Sequence, residues 1–507
     1  MSSARPAPVA PRGRARRLPA PLEMSPEEFR AAGHALVDRI SDYLATIRTT
    51  PVTPGEKPEI VRAALGGTTL PEHGVPAGEL MERAAKLVLD HSLFNGHPRF
   101  FGYITASAAP IGALGDMLAA AVNANVGAWE LAPIAGEIEA QAVRWIAELM
   151  GYPAGCGGLL VSGGNMANMV GFLAARRAKA GARVREHGLG TGAPLRVYAS
   201  VETHTWIQKA TDLFGLGTAA IRWIPTGPGL AMDLEALNAR IAADRAAGER
   251  PFMVVGTAGT VGTGAIDPLP AIAALCREQK LWFHVDGAYG GVAAGLPDAP
   301  ADLKGLVLAD SVAVDPHKWL YTPLEAGCVL VRDPEHLHDA FTYRPSYYSM
   351  DRSPGAPINY NEYGMQNSRG FRALKVWLGL LQAGREGITR MIADDIELAK
   401  AMFEAAAAHP EIEAGSTGLS IATFRYVPAD LRANAAASTE YLNRLNEELL
   451  RRLKLGGETF LSNAVVADRY LLRACIVNFR TTLEDVEAVP QIVARAGRAL
   501  DREMRSR

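Results

Sequence analysis

Seven short apolar segments between residues 105 and 385 constrain the fold most strongly, because segments with helical spacing separate them. Strands that are almost continuously apolar and alternate with helices form a mainly parallel sheet that helices cover on both faces. The sequence therefore predicts a large α/β domain over residues 105–385. The seven predicted strands are Gly158–Val161, Leu195–Ser200, Ala220–Ile224, Phe252–Gly256, Leu281–Val285, Ser311–Val314 and Gly327–Val331.

Four chemically versatile residues lie at or just past the ends of these strands, namely His204, Thr257, Asp286 and Lys318. In a sheet of this kind, ligands bind beyond the carboxyl ends of the strands. We therefore expect the four side chains to lie around one site.

Lys318 and Asp286 are the most informative pair. Lys318 follows an apolar run in Asp310-Ser-Val-Ala-Val-Asp-Pro-His-Lys-Trp-Leu320, and Asp286 ends another in Leu281-Trp-Phe-His-Val-Asp286. A lysine just past a buried strand can lose part of its hydration, which frees its amine to react with an aldehyde. Pyridoxal phosphate (PLP) chemistry needs a lysine that holds the aldehyde and a carboxylate that keeps the pyridine nitrogen protonated.

A glycine-rich turn, Ser162-Gly-Gly-Asn-Met-Ala-Asn168, follows a predicted strand and opens a helix that runs to about Ala180. Glycines let the backbone close on an anion, and a helix N-terminus offers N–H donors to a phosphate. An ordinary glycine turn would show the same pattern. A dinucleotide site is not expected, since no G-x-G-x-x-G follows a strand. Leu160 stands where the G-x-S-x-G elbow of hydrolases requires glycine.

Five segments, in order from about residue 24 to the C-terminus, resemble group II PLP-dependent amino-acid decarboxylases of the aromatic-L-amino-acid decarboxylase type. The resemblance implies fold type I, with PLP as the cofactor and an L-amino acid as the substrate. The five segments are Asn95-Gly-His-Pro-Arg-Phe-Phe-Gly-Tyr103, Ser162-Gly-Gly-Asn-Met-Ala-Asn168, His284-Val-Asp-Gly-Ala-Tyr-Gly-Gly291, Asp315-Pro-His-Lys-Trp-Leu320 and Leu472-Arg-Ala-Cys-Ile-Val-Asn-Phe-Arg-Thr-Thr482.

The resemblance assigns roles to individual residues. It implies that Lys318 bonds the cofactor aldehyde, that Asp286 pairs with the pyridine N–H, and that His204 stacks on the ring and faces the substrate carboxylate. The remaining implied cofactor contacts are Gly163, Gly164 and Asn165 at the phosphate, Thr257, Ala288 beneath the ring, His317 near the phosphate and Ser368 toward the phosphate of a partner subunit.

Three positions depart from the family pattern. Asn165 stands where the family more often has serine, and Ser368 stands where relatives often have glycine. Asp315 replaces the asparagine of aromatic decarboxylases. A carboxylate near a phosphate is repulsive unless it is bridged or turned away, so the sequence assigns no phosphate role to Asp315.

Tyr360 is the predicted proton donor. Counted back from Arg369-Gly-Phe-Arg-Ala-Leu-Lys375, it aligns with the family's mobile-loop tyrosine, which delivers a proton to the substrate Cα. The surrounding Pro345–Gly364 segment is rich in Pro, Gly, Ser and Tyr, as a long loop would be. Tyr363 is a rival for the same role.

The resemblance places Tyr103, Trp129 and Asn125–Gly127 in pocket-lining segments. Gly127 stands where mammalian aromatic decarboxylases have a bulky ring, which should widen the pocket. The sequence thus predicts decarboxylation of an aromatic L-amino acid (tryptophan-, tyrosine- or dopa-like) to the amine and CO₂. Alternatives are an acidic-amino-acid (glutamate or aspartate) decarboxylase, an aromatic aldehyde synthase, an aminotransferase or a catalytically silent scaffold. Synthases usually replace the loop tyrosine by phenylalanine, so Tyr360 favours simple decarboxylation.

Composition excludes several classes of function. With 52 Lys and Arg against 54 Asp and Glu, the net charge is −2, so no global field attracts nucleic acid or an anionic membrane. No apolar run reaches membrane-spanning length. The four cysteines are far apart in apolar stretches and are interpreted as buried free thiols of a cytoplasmic protein. His336 and His338 follow Asp333-Pro334 and are interpreted as a solvated helix start, so no metal site is predicted.

Four regions are predicted along the chain. Residues 1–23 are a Pro- and Arg-rich tail that cannot bury enough surface to order itself. Residues 24–104 form a helical segment that begins at Ser25 and includes a second helix, Ala77–Leu93; the resemblance implies that this segment packs across a homodimer. After the large domain (105–385), residues 386–507 form a small C-terminal α+β domain with strands Leu419–Tyr426 and Leu471–Asn478.

Overall fold

The computed structural model describes residues 20–67, 69–181, 183–190, 192–227, 229–343 and 355–506. The chain separates into two compact units, Met1–Thr50 with Glu56–Ser92 and Pro51–Gly55 with Leu93–Arg507. Most of the predicted disordered tail (residues 1–23) lies outside the described residues. The domain boundaries at residues 104 and 385 remain predictions.

The first unit holds three helices, α1 (Pro26–Thr46), α2 (Pro58–Leu65) and α3 (Ala77–Asp90). Ser25 caps α1 as predicted: its Oγ accepts a hydrogen bond from the Glu28 N–H, and the Glu28 carboxylate accepts one from the Ser25 N–H. None of the described residues in these three helices is buried. The described parts of these helices therefore form no buried core.

The second unit contains a seven-stranded sheet in the order β1-β7-β6-β5-β4-β2-β3. All neighbours are parallel except those of β7, which runs antiparallel to both β1 and β6. The predicted strands match the observed ones within two residues at each end. The strands are β1 (Gly157–Val161), β2 (Leu195–Ser200), β3 (Ile221–Ile224), β4 (Arg250–Thr257), β5 (Trp282–Asp286), β6 (Ser311–Val314) and β7 (Gly327–Val331).

Most strand residues are apolar because both faces of the sheet are largely buried. Successive residues point to opposite faces, so Val254 belongs to one buried apolar cluster and Val255 to another. Many of the remaining members of these clusters come from helices that pack on the sheet. The helices of the unit are α4 (Pro110–Val122), α5 (Pro133–Leu149), α6 (Gly164–Ala180), α7 (Arg183–His187), α8 (Trp206–Leu213), α9 (Leu234–Ala246), α10 (Leu269–Gln279), α11 (Ala301–Lys304), α12 (Glu335–Phe341), α13 (Ala373–Ala408), α14 (Thr439–Gly456) and α15 (Leu483–Arg505).

A second, antiparallel sheet lies toward the C-terminus, in the order β10-β11-β9-β8. Three of its strands, β8, β9 and β11, share a third apolar cluster with residues of α13, α14 and α15. The two predicted C-terminal strands correspond to β9 and β11, whereas β8 and β10 were not predicted. The strands are β8 (Ile412–Gly418), β9 (Ile421–Tyr426), β10 (Ser462–Val466) and β11 (Arg469–Cys475). Within the described part of the chain, no helix combines the length and the apolar character that crossing a bilayer requires.

Candidate active site

The carboxyl ends of four parallel strands open onto one cleft of about 560 Å³, a size typical of ligand sites. His204 follows β2, Thr257 ends β4, and Asp286 ends β5. Lys318 lies on the connection between β6 and β7. All four side chains line the cleft, as their positions at the strand ends predict.

Asp286 is held in a fixed orientation. Its side chain is buried, with a residue exposure of 6%. Oδ2 accepts a hydrogen bond of 2.8 Å from the indole Nε1 of Trp206, and Oδ1 accepts one of 3.2 Å from the Ala288 N–H. A carboxylate has about four acceptor positions, so these two donors leave room for the pyridine N–H of a cofactor.

His204 lies at the open side of the cleft and keeps an exposed surface. Its Nδ1 accepts a hydrogen bond of 3.3 Å from the Trp206 N–H, which leaves the proton of the neutral ring on Nε2. The partial burial of the ring lowers the pKa of His204 below its usual value, although the nearby Asp286 opposes this shift. The ring is therefore neutral at pH 7 and can stack on a flat ligand.

Thr257 is positioned through its backbone. Its N–H donates a hydrogen bond of 2.8 Å to Oδ2 of Asp267, whose Oδ1 accepts another of 2.7 Å from the Met232 N–H. Asp267 is fully buried, and this burial raises the pKa of its carboxyl group to about 6. The end of β4 is thereby tied to the segment before α9.

Lys318 forms an ion pair that the sequence did not indicate. Its Nζ lies 2.9 Å from Oδ2 of Asp315, and the Asp315 side chain is only 2% exposed. His317 lies beside the pair: its Nδ1 contacts the Ala326 carbonyl at 2.7 Å, and its Nε2 is 3.7 Å from Asp315 Oδ2. Burial lowers the pKa of His317.

The glycine-rich turn forms another wall of the cleft, at the N-terminus of α6. Gly163, Gly164 and Asn165 all line it. A Cβ added at Gly164 would lie 2.6 Å from Asp315 Oδ2 and 3.2 Å from the Ala288 Cβ, so only glycine fits there. The small Ala288 side chain likewise leaves the cleft open.

These residues fit PLP. The cleft offers a lysine for the aldehyde, a fixed carboxylate for the pyridine nitrogen, a neutral ring for stacking and a helix N-terminus for the phosphate. Trp206, which orients Asp286, was not predicted, although it lies only two residues after His204. Glu202 also lines the cleft and was missed, because a single glutamate in a sequence carries no distinguishing signal.

Five predicted site residues do not line this cleft: Tyr103, Gly127, Trp129, Tyr360 and Ser368. Tyr103 is 56% exposed and packs near Phe460. The other four belong to a separate group, which we name the Tyr360 cluster. Its members are Asn125, Val126, Gly127, Trp129, Asn359, Tyr360, Asn367, Ser368 and Arg369.

Hydrogen bonds hold the Tyr360 cluster together. The Trp129 N–H donates to Asn359 Oδ1 at 3.0 Å, and the Arg369 N–H donates to Asn125 Oδ1 at 3.1 Å. The Arg369 guanidinium lies 4.7 Å from the centre of the Tyr360 ring and forms a buried ion pair with Glu139. These contacts tie the cluster to the core of the subunit.

The prediction that Tyr360 lies on a mobile loop is wrong. Tyr360 begins a short 3₁₀ helix, Tyr360–Glu362, and its side chain is 1% exposed within the apolar core. Its hydroxyl group has no hydrogen-bond partner among the described residues. A proton donor must touch the substrate, and Tyr360 cannot do so from this position. The first part of the predicted loop, residues 345–354, lies outside the described residues.

The prediction that Gly127 widens the pocket is also wrong. Gly127 is buried, and a Cβ added there would lie 2.1 Å from the carbonyl oxygen of Asn367. The space that a side chain would take is therefore filled by the backbone before Ser368. The glycine serves close backbone packing.

Comparison with known proteins identifies the family. The pyridoxal-dependent decarboxylase conserved domain matches residues 58–426. The chain belongs to this family. It is 33% identical over 468 residues to the aromatic-L-amino-acid decarboxylase of Bacillus atrophaeus, covering 92% of this chain and 94% of that protein.

Other relatives show the range of the family. A phenylacetaldehyde synthase of a Rosa hybrid cultivar is 29% identical over 463 residues, covering 89% of this chain and 90% of that protein. The crystal structure of Oryza sativa TDC with PLP and tryptamine superposes with a TM-score of 0.87 at 28% identity, covering 95% of this chain and 100% of that chain. The protein is a fold-type-I, PLP-dependent carboxy-lyase.

Proposed function

We propose that this enzyme decarboxylates an aromatic L-amino acid to the corresponding amine and CO₂. The observation that supports the chemistry best is that Lys318, Asp286 and His204 share one cleft with the glycine-rich turn. The similarity to an aromatic-L-amino-acid decarboxylase supports the substrate class.

Each residue has a distinct task in this proposal. PLP, when bound, supplies the electron sink that receives the electrons of the broken bond between Cα and the carboxylate. Lys318 would hold the cofactor through its aldehyde group, at the position that the substrate amine would take during the reaction. Asp286, fixed by Trp206, keeps the pyridine nitrogen protonated. His204 packs against the ring and orients the substrate carboxylate for loss as CO₂.

The charges around the cleft favour an uncharged substrate side chain. Among the described residues that line it, Glu202, Asp286 and Asp315 are acidic, Lys318 is the only lysine, and there is no arginine. Burial raises the pKa of Glu202, and the lowered pKa values of the two histidines leave them neutral at pH 7. An acidic side chain would therefore meet further carboxylates, and the one lysine already pairs with Asp315, which argues against the glutamate or aspartate alternative.

We further propose a homodimer in which Trp129, Ser368 and Tyr103 complete the cleft of the second copy. Apolar side chains on α4 support a protein partner, because Leu118 and Val122 are 55% and 64% exposed. Isologous contact between two copies would cover such a face on both.

Hybrid dimers test this arrangement. Mixing a Lys318→Ala subunit with a Trp129→Ala subunit should restore about a quarter of the wild-type activity, since half the dimers are hybrids with one intact site each. If Trp129 acts within its own subunit, mixing restores nothing.

Product analysis tests the proposed reaction. Tryptophan, tyrosine, dopa, histidine, glutamate and aspartate are supplied side by side, and amine and CO₂ are measured. The expected result is turnover of the aromatic substrates; exclusive turnover of an acidic one rejects the proposal. Borohydride reduction followed by peptide mapping should place the cofactor on Lys318.

An aldehyde synthase is the second candidate, because a phenylacetaldehyde synthase is among the relatives. The sequence argument against it relied on Tyr360, and the buried position of that residue removes the argument. Stoichiometric aldehyde and peroxide in place of amine would establish this alternative. A cytoplasmic location is also proposed; it is supported by four free cysteines, three of which are buried.

A further inference from the structure

Asp315 lies at the junction between the lysine and the glycine-rich turn. Its Oδ2 is 2.9 Å from Lys318 Nζ and would be 2.6 Å from a Cβ at Gly164. Its other oxygen, Oδ1, is buried without a hydrogen-bond partner among the described residues. A buried carboxylate therefore sits directly beside the turn at the N-terminus of α6, which would hold the cofactor phosphate.

Few groups can balance this charge. The ionisable groups that face Asp315 are Lys318, His317, His204 and Cys328. Burial lowers the pKa of both histidines and raises the pKa of the Cys328 thiol well above its usual value, so all three are neutral at pH 7. The Lys318 ammonium is thus the counter-charge of Asp315 among the described residues.

We propose that Asp315 is a positioning residue, which holds Lys318 in the cofactor-free protein and weakens the binding of a cofactor that carries a phosphate. This inference rests on the proposed placement of PLP. When the Lys318 ammonium condenses with the aldehyde, one water leaves and one of its three N–H bonds remains. The positive charge that faces Asp315 alone in the cofactor-free protein is then shared with the cofactor, while a phosphate dianion comes to lie next to Asp315, and two like charges so close together in a buried site repel each other.

The chain should therefore differ in cofactor affinity from relatives that have an amide at this position. An asparagine can donate a hydrogen bond to a phosphate oxygen, whereas an ionised aspartate can only accept. The inference is that this enzyme retains PLP less tightly than the same fold with asparagine would, and exchanges it with free cofactor more readily.

Cofactor titration of the apoenzyme tests the proposal. The wild type and Asp315→Asn are titrated with PLP and, separately, with pyridoxal, which has the same aldehyde and ring but no phosphate. Dissociation constants are read from the absorbance of the lysine-bound cofactor. Asp315→Asn should bind PLP at least about tenfold more tightly than the wild type, with a much smaller gain for pyridoxal.

Two further variants guard against a structural explanation. Asp315→Glu keeps the charge and should not gain PLP affinity, whereas Asp315→Ala should shift the ratio of PLP to pyridoxal affinity in the same direction as Asp315→Asn. A general packing defect would weaken both ligands equally and leave the ratio unchanged. An unchanged or lowered ratio in Asp315→Asn overturns the inference. Failure of the wild type to bind PLP through Lys318 would instead reject the proposed function itself.

Discussion

The residues that the sequence predicts for a single active site lie in two different places, the cleft and the Tyr360 cluster. Lys318, Asp286 and His204 face a common space. Tyr360 and Gly127 are buried in a hydrogen-bonded cluster, where one packs in the apolar core and the other against a backbone carbonyl. The predicted site residues at or just past strand ends thus line the cleft. Tyr360 and Gly127, which were assigned by counting along irregular segments, do not.

The difference has a physical cause. A strand in a covered parallel sheet fixes where its last residue lies, since its neighbours and the helices leave a single arrangement. A position counted along an irregular segment has no such constraint, because insertions shift loop positions freely. Sequence signals therefore predict function best where regular structure carries the residue.

The largest effect expected is at Lys318. Lys318→Ala removes the covalent hold on the cofactor and should lower turnover roughly a thousandfold or more. Loss of the cofactor chromophore and of borohydride trapping would accompany it. Lys400→Ala, which removes an exposed lysine from the ion pair with Glu397, is the matched control and should behave like the wild type. Cofactor that is still trapped by borohydride in Lys318→Ala would show that a different lysine binds it.

Much of the fold followed from the sequence. All seven strands of the large sheet were placed within two residues, because burial on both faces makes their apolar runs continuous. The antiparallel direction of β7 was not predicted, although the connection of residues 315–326 between β6 and β7 contains no helix of the kind that parallel neighbours need. That connection carries Lys318.

The smaller sheet was only half predictable. Strands β9 and β11 are buried for most of their length, whereas β8 contains glycine and serine and β10 exposes alternate residues. Such edge strands lack a continuous apolar run and resemble loops in sequence. At the site, ion pairs such as Asp315 with Lys318 depend on the path of a turn, which no periodic pattern encodes.

Substitutions at Asp286 and at its hydrogen-bond donor Trp206 test the role of the cleft further. Asp286→Asn should lower turnover by roughly a hundredfold, since an amide cannot stabilise a protonated pyridine as a carboxylate does. Trp206→Phe removes one of the two donors to Asp286 and should cost about tenfold, as expected for a charge-assisted hydrogen bond. The control Trp223→Phe changes a partly exposed tryptophan of β3. Equal losses in both tryptophan variants would contradict the role of Trp206.

The dependence of stability on pH provides a test of the scaffold behind the cleft. His284 of β5 is fully buried between Ser311 Oγ and Asn168 Oδ1, both at 2.7 Å, and burial lowers its pKa to about 4. Because the folded pKa is below the unfolded value of about 6.5, the unfolded state binds more protons between these values. Stability is complete above pH 6.5 and falls as the pH drops toward 4.

The expected loss due to His284 is roughly 3 kcal/mol by pH 4. Urea unfolding of the wild type and of His284→Gln at pH 7 and pH 4.5 measures it. The variant should be less stable at pH 7 but lose less on acidification. Identical acid sensitivity of the two proteins would show that other groups dominate.

Tyr360→Phe is the smallest expected change and the one that could break the comparison. The Tyr360 hydroxyl is buried without a partner among the described residues, so its removal should alter turnover by less than about threefold and stability by at most about 1 kcal/mol. Amine formation and thermal unfolding measure both. Tyr347 and Tyr348, which lie in the same sequence segment but outside the described residues, provide the complementary Phe variants. A loss of a hundredfold or more in Tyr360→Phe, with normal stability, would mean that Tyr360 leaves the core during turnover. In that event the segment that carries Tyr360 would change conformation during the reaction. The Tyr360 cluster would then differ from the cleft in its mobility and not in whether it takes part in catalysis.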